Sequence, residues 1–215
     1  QPFDPPDHRA SVAPMTQTPP SPRSILVAGA SGTIGQAVAA RLVADGHAVT
    51  TPGRAVLADA GALAQVMAEA RAEVVISCIA SRSGAPKDAQ AVDYAANALL
   101  LEAAQAAGAR QFILLSAICV QKPLLAFQHA KLAFEAELAA SGSDYAIVRP
   151  TAFFKSLSGQ VKRMKAGKPF LIFGDGELTR CKPISDADLA RFIASCIDNP
   201  ATSRRILPIG GPGPA

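Results

Sequence analysis

The chain has 215 residues, of which 49% are hydrophobic and only 5% aromatic, and its formal net charge at pH 7 is +4. This length suits a single domain with a substantial core, which small side chains must largely fill because tryptophan is absent. No apolar run approaches the ~18 residues that cross a bilayer, and the N-terminus shows no signal-peptide core, so we expect a cytoplasmic protein that touches membranes at most peripherally.

The positive charge is densest around one predicted helix, at Lys155, Lys162, Arg163, Lys165 and Lys168. A solvated helix face is the commoner meaning of such a cluster, and attraction to an anionic ligand or an anionic membrane surface is the alternative. We expect no nucleic-acid partner, because no aromatic residues interleave with the basic ones. The sequence leaves the oligomeric state open.

Four cysteines lie far apart in the chain, at Cys78, Cys119, Cys181 and Cys196. Because no two of them form a C-x-x-C pair, they suit reduced, buried thiols better than a disulfide framework or a zinc site. No metal site is therefore predicted.

The first 23 residues, Gln1–Arg23, contain seven prolines and show no apolar periodicity. Such a segment cannot bury enough apolar surface to offset the entropy lost on ordering. We predict a flexible tail over 1–23 and one folded domain over 24–215.

A glycine-rich turn follows the first predicted strand. Ser24–Ala28 is an apolar run, and Gly29-Ala-Ser-Gly-Thr-Ile-Gly35 leads into a helix that ends near Asp45, with Gly46 as its C-cap. Glycines at this spacing between a strand and a helix allow a tight turn and let helix N–H groups face a pyrophosphate. An ordinary βα turn is the weaker alternative. The predicted dinucleotide contacts come from Gly29, Ser31, Gly32, Thr33, Ile34 and Gly35.

The second predicted strand, His47–Thr51, bears on which nucleotide is bound. A carboxylate after this strand would hold the ribose 2′-OH of NAD, but none is present and Arg54 follows instead. Since guanidinium pairs well with a 2′-phosphate, the sequence favours NADPH, with a solvated loop arginine as the alternative. A short third strand is predicted at Ala55–Ala58. Asp59 after it is expected to accept from the adenine amino group, to cap the next helix, or both.

The remaining apolar periodicities predict alternating strands and helices. Their bounds are strand Glu73–Cys78, helix Asp88–Ala107, strand Gln111–Leu115, helix Leu124–Ala140, strand Tyr145–Val148, a helix near Leu157–Ala166, a short strand Pro169–Phe173, a turn at Gly174–Gly176, a helix capped by Ser185 or Asp186 and running to about Asp198, and strand Arg205–Ile209. This alternation predicts an α/β fold, a Rossmann-like doubly wound parallel sheet with helices on both faces.

Four loops follow predicted strands and should meet at one sheet edge, where such folds bind ligands. Besides the glycine turn they supply further predicted cofactor contacts from Cys78, Ala80, Ser81, Ser116, Pro150 and Phe153. On the helix after Ser116, Lys131 is expected to hydrogen-bond the nicotinamide ribose, and an ordinary surface lysine is the alternative. We predict Ser116 and Lys131 as catalytic residues.

The substrate side is expected over about 150–185, and the predicted substrate contacts are Phe127, Phe154 and Lys155. Phe154 suits an apolar pocket, and Lys155 can pair with a substrate carboxylate.

Several runs carry a family resemblance: CIASRSGAPKDA, LLSAICVQKPLLAFQHAKLAFE, IVRPTAFFKSLSGQV, GKPFLIFGDGELTRCKPISD and RILPIGGPGPA. From about Ser24 to Ala215 the chain resembles the NADPH-dependent divinyl (proto)chlorophyllide 8-vinyl reductases. This family is an atypical branch of the short-chain dehydrogenases, related to isoflavone reductases and NmrA-like regulators.

The resemblance implies NADPH-dependent reduction of an 8-vinyl group to ethyl on a magnesium tetrapyrrole carrying a propionate, at a photosynthetic membrane and, in a plant or alga, in the plastid. Short-chain dehydrogenases have tyrosine where Phe127 stands, and an alkene substrate has no carbonyl oxygen for that tyrosine to protonate. The proton donor is left open between Lys131, a hydroxyl such as Ser116 or Thr151, and water. The rival functions are a non-catalytic NmrA-like NADP sensor and an isoflavone-reductase-like enzyme for another conjugated alkene.

The chain departs from the resembled family in two places. Its connection between Thr51 and Val56 is shorter, and the family normally continues beyond GGPGPA with C-terminal structure on the substrate side. We therefore expect the family's C-terminal extension to be absent and the 2′-phosphate position of Arg54 to depend on that loop.

Overall fold

Six parallel strands form a single sheet in the computed structural model, which describes residues 21–171 and 182–211. The strands are β1 (Ser24–Ala28), β2 (Ala48–Thr50), β3 (Val74–Ser77), β4 (Gln111–Leu115), β5 (Asp144–Pro150) and β6 (Arg205–Ile209). They lie in the order β2-β1-β3-β4-β5-β6, and every neighbouring pair is parallel. The predicted doubly wound parallel sheet is confirmed.

Helices cover both faces of this sheet. The α-helices are α1 (Thr33–Ala44), α2 (Ala60–Ala70), α3 (Pro86–Asp88), α4 (Ala96–Ala106), α5 (Ala126–Ala140), α6 (Phe154–Lys165) and α7 (Asp186–Ser195). Apolar residues of α2, α4 and α5 pack on one face, and those of α1 and α7 pack on the other. Strands β1, β3 and β4 are almost entirely buried, which explains why they are continuous apolar runs in the sequence.

The predicted strand at Ala55–Ala58 is wrong. Val56–Ala58 forms a 3₁₀ turn instead, because Ala55 already has right-handed helical backbone angles and Leu57 turns inward to pack beneath α2. Strand β2 therefore remains at the edge of the sheet. Asp59 follows the turn and caps α2, where its carboxylate accepts from the N–H of Ala62 at 2.7 Å.

The predicted helix Asp88–Ala107 is not uniformly α-helical. It begins with α3, where Pro86 occupies the first turn, passes through a π-helical turn at Ala89–Ala95, and continues as α4. The side-chain amide of Asn97, at the start of α4, donates to the carbonyl of Asp93 in this wider turn at 3.1 Å, and the amide oxygen of Asn97 accepts from the Ser77 hydroxyl at the end of β3. Amphipathic periodicity alone does not reveal such a turn.

Other predicted boundaries shift by a few residues. Helix α6 begins at Phe154, and α7 is capped by Ser185, whose hydroxyl oxygen accepts from the N–H of Asp188 at 3.0 Å. Residues 169–171 have no regular structure, and the rest of the strand predicted at Pro169–Phe173 lies outside the described residues, as does the turn predicted at 174–176. Most of the tail predicted at 1–23 lies outside them too. Its last residue, Arg23, forms ion pairs with Glu73 and Asp198.

Among the described residues, no helix has the length and apolarity that a membrane crossing requires.

The sheet order reverses direction between β1 and β3, and in open parallel sheets the carboxyl ends of such strands border a ligand crevice. At that point two glycines let backbone pack against backbone. Gly29 has φ +82°, and a Cβ there would lie 2.6 Å from the carbonyl oxygen of Cys78. A Cβ on Gly35 would lie 2.3 Å from the carbonyl oxygen of Gly29. The start of α1 is therefore seated directly on the glycine turn.

We expect Gly35→Ala to lower the free energy of unfolding by about 2–3 kcal/mol, because its methyl group would force backbone atoms apart. Gly159→Ala in α6 is the matched control, since nothing lies within 4 Å of its added Cβ, and it should stabilise by about 0.5–1 kcal/mol. Urea unfolding followed by circular dichroism measures both. Equal effects of the two substitutions would contradict the close packing.

Candidate functional site

A cavity of about 330 Å³ lies at the carboxyl ends of β1 and β3. Seven of the predicted cofactor residues line it: Gly32, Thr33, Ile34, Gly35, Cys78, Ala80 and Phe153. Leu115 at the end of β4 and Asp186 at the start of α7 complete the lining. Three of the four loops that follow strands in the sequence therefore meet at one cavity.

The N-terminus of α1 borders this cavity. Gly32 is the N-cap residue and offers no side-chain hydrogen bond to the helix, while its own N–H donates to the carbonyl of Gly29 at 3.0 Å. The first turn of a helix directs N–H groups and a positive partial charge outward along its axis. An anionic group, such as a pyrophosphate, suits this end of the cavity.

Lys131 is buried on α5 and only 8% exposed, which excludes the alternative of an ordinary surface lysine. Its ammonium nitrogen lies 3.0 Å from the carboxylate of Asp93, a residue in the π-helical turn that is 1% exposed. Burial raises the pKa of the Cys78 thiol to about 12, and the nearby charge of Lys131 opposes that rise. The charge of Lys131 therefore acts at the cavity wall that Cys78 forms.

Ser116 and Glu135 form a second buried polar group beside β5. The Ser116 hydroxyl donates to the Glu135 carboxylate, which also binds the guanidinium of Arg149 through Nε, 3.2 Å from each carboxylate oxygen. The backbone N–H of Ser116 donates to the carbonyl of Val148 at 2.8 Å. Because its proton is directed at a carboxylate, the Ser116 hydroxyl keeps only acceptor capacity for a ligand.

The other predicted cofactor residues do not line the cavity. Ser31 is exposed in the glycine turn, and Pro150 is buried at the end of β5. The N–H of Ser81 donates to Asp93 at 3.3 Å. Arg54 is exposed beyond β2, and its charge lowers the pKa of Asp88, as a smaller cause than the hydrogen bonds from Ser83. Exposed Asp59 is seen capping α2, and its adenine contact stays a prediction.

The predicted substrate residues lie on two helices, α5 and α6. Phe127, in the first turn of α5, has its ring edge 3.3 Å from where a Cβ on Gly84 would be, so it covers the loop after β3. Phe154 begins α6 and is 59% exposed. Lys155 follows it in α6, and its side chain lies outside the described part of the structure.

Three charged residues at the site escaped the sequence analysis: Asp93, Glu135 and Arg149. A signal was present, since Glu135 stands one helical turn after Lys131 and next to Phe134, which places it on the buried side of α5. A carboxylate on a buried helix face is rare unless it is paired. No partner for Asp93 or Glu135 was evident, because both partners come from other elements.

A second depression of about 700 Å³ lies between α4 and α5, where the hydroxyl of Tyr94 donates to Glu137 at 2.7 Å. None of the predicted site residues lines it.

The parallel sheet, the glycine turn and the cavity at the reversal point define a Rossmann-like nucleotide-binding protein. The family model described as NAD(P)H-binding matches residues 51–200, and the chain belongs to this family. The match begins beyond β2, so the glycine turn is evidence independent of it.

Proteins of known structure and name agree with this assignment. UDP-glucose 4-epimerase from Thermotoga maritima superposes with a TM-score of 0.75 at 20% identity, covering 86% of this chain and 76% of its own, which supports the fold. Divinyl chlorophyllide a 8-vinyl-reductase, chloroplastic, from Oryza sativa subsp. indica is 45% identical over 99% of this chain and 60% of its own length. The protein of that name from Cucumis sativus is 58% identical over 66% of this chain and 35% of its own length. The chain thus spans about 60% of the length of the rice relative it matches.

We expect Cys78 to resist alkylation by iodoacetamide at pH 8, because a pKa of about 12 leaves roughly one thiolate in ten thousand. Exposed Cys119 is the internal control and should be labelled first. Mass spectrometry of tryptic peptides measures both. Labelling of Cys78 as fast as Cys119 would show that its thiol is not held neutral at the cavity wall.

Proposed function

We propose that this chain forms the NADPH-binding part of a reductase that converts the 8-vinyl group of divinyl chlorophyllide or protochlorophyllide to ethyl in the plastid. The observation that carries the proposal is the 45% identity, over 99% of the chain, to a chloroplastic relative of that name. The cavity beside a buried, charged lysine adds support from the site itself.

The residues around the cavity fit a dinucleotide. Gly29 and Gly35 leave no room for side chains, and the first turn of α1 faces the cavity with the positive end of its dipole. NADPH, when bound, supplies the hydride. On this chain, the turn over Gly32–Gly35 would hold the pyrophosphate, and Phe153 would close the apolar side of the cavity. Cys78 and Ala80 would border the same space from the end of β3.

NADPH is preferred to NADH in this proposal because no carboxylate follows β2. A carboxylate there would repel a 2′-phosphate, whereas Arg54 is exposed in the following turn and free to approach one. The charge of Arg54 contributes to lowering the pKa of Asp88, which indicates that Arg54 lies on the side of the loop that follows β3.

Lys131 has two roles in the proposed reaction. Its ammonium would donate to the nicotinamide ribose, and its positive charge would stabilise the negative charge that spreads into the conjugated ring as hydride reaches one vinyl carbon. A proton must reach the other carbon, and no carbonyl oxygen needs to be protonated. Phenylalanine at position 127 is compatible with that chemistry, and its ring offers an apolar surface to the tetrapyrrole. Phe154 and Lys155 would face the macrocycle and its propionate.

The experiment that tests the proposal combines the purified protein, NADPH and divinyl chlorophyllide. We expect a blue shift of the Soret band as vinyl becomes ethyl, and Lys131→Met should abolish most of it, because a transition-state charge loses its partner. NADPH bound without any Soret shift would favour a non-catalytic nucleotide sensor. Reduction of a different conjugated alkene, with chlorophyllide untouched, would favour an isoflavone-reductase-like enzyme.

We expect Arg54→Ala to weaken NADPH binding about ten- to a hundredfold while leaving NADH affinity unchanged, because only the 2′-phosphate loses a charged partner. Titration of nucleotide fluorescence measures both dissociation constants. Arg41→Ala removes the same charge from the surface of α1 and should change neither. If Arg54→Ala lowered the two affinities equally, Arg54 would not be the residue that selects NADPH.

A further inference from the structure

The carboxylate of Asp93 is buried, and one of its two oxygens has no hydrogen-bond partner in the described structure. It is 1% exposed, it lies in the π-helical turn, and one carboxylate oxygen, Oδ1, both pairs with Lys131 at 3.0 Å and accepts from the N–H of Ser81 at 3.3 Å. The other oxygen, Oδ2, is buried without a hydrogen-bond partner in the described structure. A buried carboxylate oxygen without a partner is costly, so its retention calls for a role beyond stability.

The backbone that carries Asp93 is fastened to the sheet. The amide nitrogen of Asn97 donates to the carbonyls of Asp93 and Val92, at 3.1 and 3.3 Å, and the amide oxygen of Asn97 accepts from the hydroxyl of Ser77 at the end of β3. The π-helical turn is thus tied to the strand whose next residue, Cys78, lines the cavity. These hydrogen bonds fix the position of Asp93 relative to the end of β3, where Cys78 forms part of the cavity wall.

We propose that Asp93 is the positioning residue for Lys131: its carboxylate directs the ammonium toward the nicotinamide ribose. The proposal rests on the nucleotide-binding function proposed above. With one N–H bound by Asp93, the ammonium has two further protons to donate. Ser81, in the loop beyond Ala80, shares the same carboxylate oxygen, so the loop and the lysine are held by a single group.

A purely structural ion pair is the competing explanation. Buried ion pairs stabilise proteins little, since the loss of hydration offsets the attraction, and an apolar pair of similar volume often serves as well. A structural pair would therefore affect every property of the fold alike. A positioning pair should affect only the half of the ligand that Lys131 touches.

The test compares two ligands on wild type and Asp93→Asn. NADPH contains the nicotinamide ribose, whereas 2′,5′-ADP is its adenosine half alone. We expect Asp93→Asn to weaken NADPH binding about tenfold or more and to leave the affinity for 2′,5′-ADP within twofold of wild type. Glu102→Gln is the matched control, because it neutralises an exposed carboxylate on the adjoining helix α4 and should change neither affinity.

A double-mutant cycle shows whether Asp93 acts through Lys131. We expect Lys131→Met to weaken NADPH binding, and the double variant Asp93→Asn with Lys131→Met to bind NADPH no more weakly than Lys131→Met alone. Additive losses would overturn the proposal, because Asp93 would then contribute independently of the lysine.

Equal weakening of NADPH and 2′,5′-ADP by Asp93→Asn would also overturn it and leave Asp93 a structural residue. If Asp93→Asn does not fold, Asp93→Glu keeps the charge and moves the carboxylate, and the same selective loss of NADPH affinity is expected. A folded Asp93→Glu with wild-type NADPH affinity would contradict positioning. Wild-type protein that binds neither ligand would instead contradict the proposed function, so the two failures are distinguishable.

Discussion

The close approach of the β1–α1 turn to the end of β3 is the constraint on which the crevice depends. Gly29 lies against the carbonyl of Cys78, and Gly35 lies against the carbonyl of Gly29, so three segments meet with no side chains between them. This contact brings the first turn of α1 and the Cys78 thiol to the walls of one cavity. A side chain at either glycine would separate them and move the positive end of α1 away from the space it borders.

Helix α5 then sets the polar side of the crevice with two buried ion pairs, one helical turn apart. Lys131 binds Asp93 of the π-helical turn, and Glu135 binds Arg149 of β5 and the Ser116 hydroxyl. Each charge removed from water must recover its hydration energy from its partners, and breaking either pair would leave an uncompensated charge inside the fold. The two pairs join α5 to the π-helical turn through Asp93 and to β5 through Arg149. Both carboxylate oxygens of Glu135 have partners, whereas Oδ2 of Asp93 has none in the described structure.

An element of this structure can be predicted from the sequence when the interactions that form it are local. Ser24–Ala28 and Gln111–Leu115 are found at their predicted bounds, because strands covered on both faces are continuous apolar runs. Arg205–Ile209 is also found at its predicted bounds, although it is an edge strand and is largely exposed. The segment Val56–Ala58 has strand-like residues, yet no strand pairs with it beyond β2, so it closes into a 3₁₀ turn.

The π-helical turn depends on the contact of Asn97 with Ser77, and the partner of Lys131 comes from a different helix. Neither leaves a periodic pattern in the sequence. The glycine turn and Lys131 could be selected from the sequence by motif and spacing. The pairing of Asp93 with Lys131 is evident only in the structure.

The same hydrogen bonds narrow the source of the proton for the proposed alkene reduction. Sequence alone left Lys131, the hydroxyls of Ser116 and Thr151, and water as donors. In the structure the Ser116 hydroxyl donates to Glu135, and the Thr151 hydroxyl donates to the carbonyl of Lys182. Either hydroxyl would have to give up an existing bond to a strong acceptor before it could protonate a vinyl carbon. Lys131, with ammonium protons beyond the one that Asp93 accepts, and water remain as donors that need break no such bond. Phe127, one helical turn before Lys131 on α5, carries no phenol, which suits a substrate whose reacting atoms are both carbon.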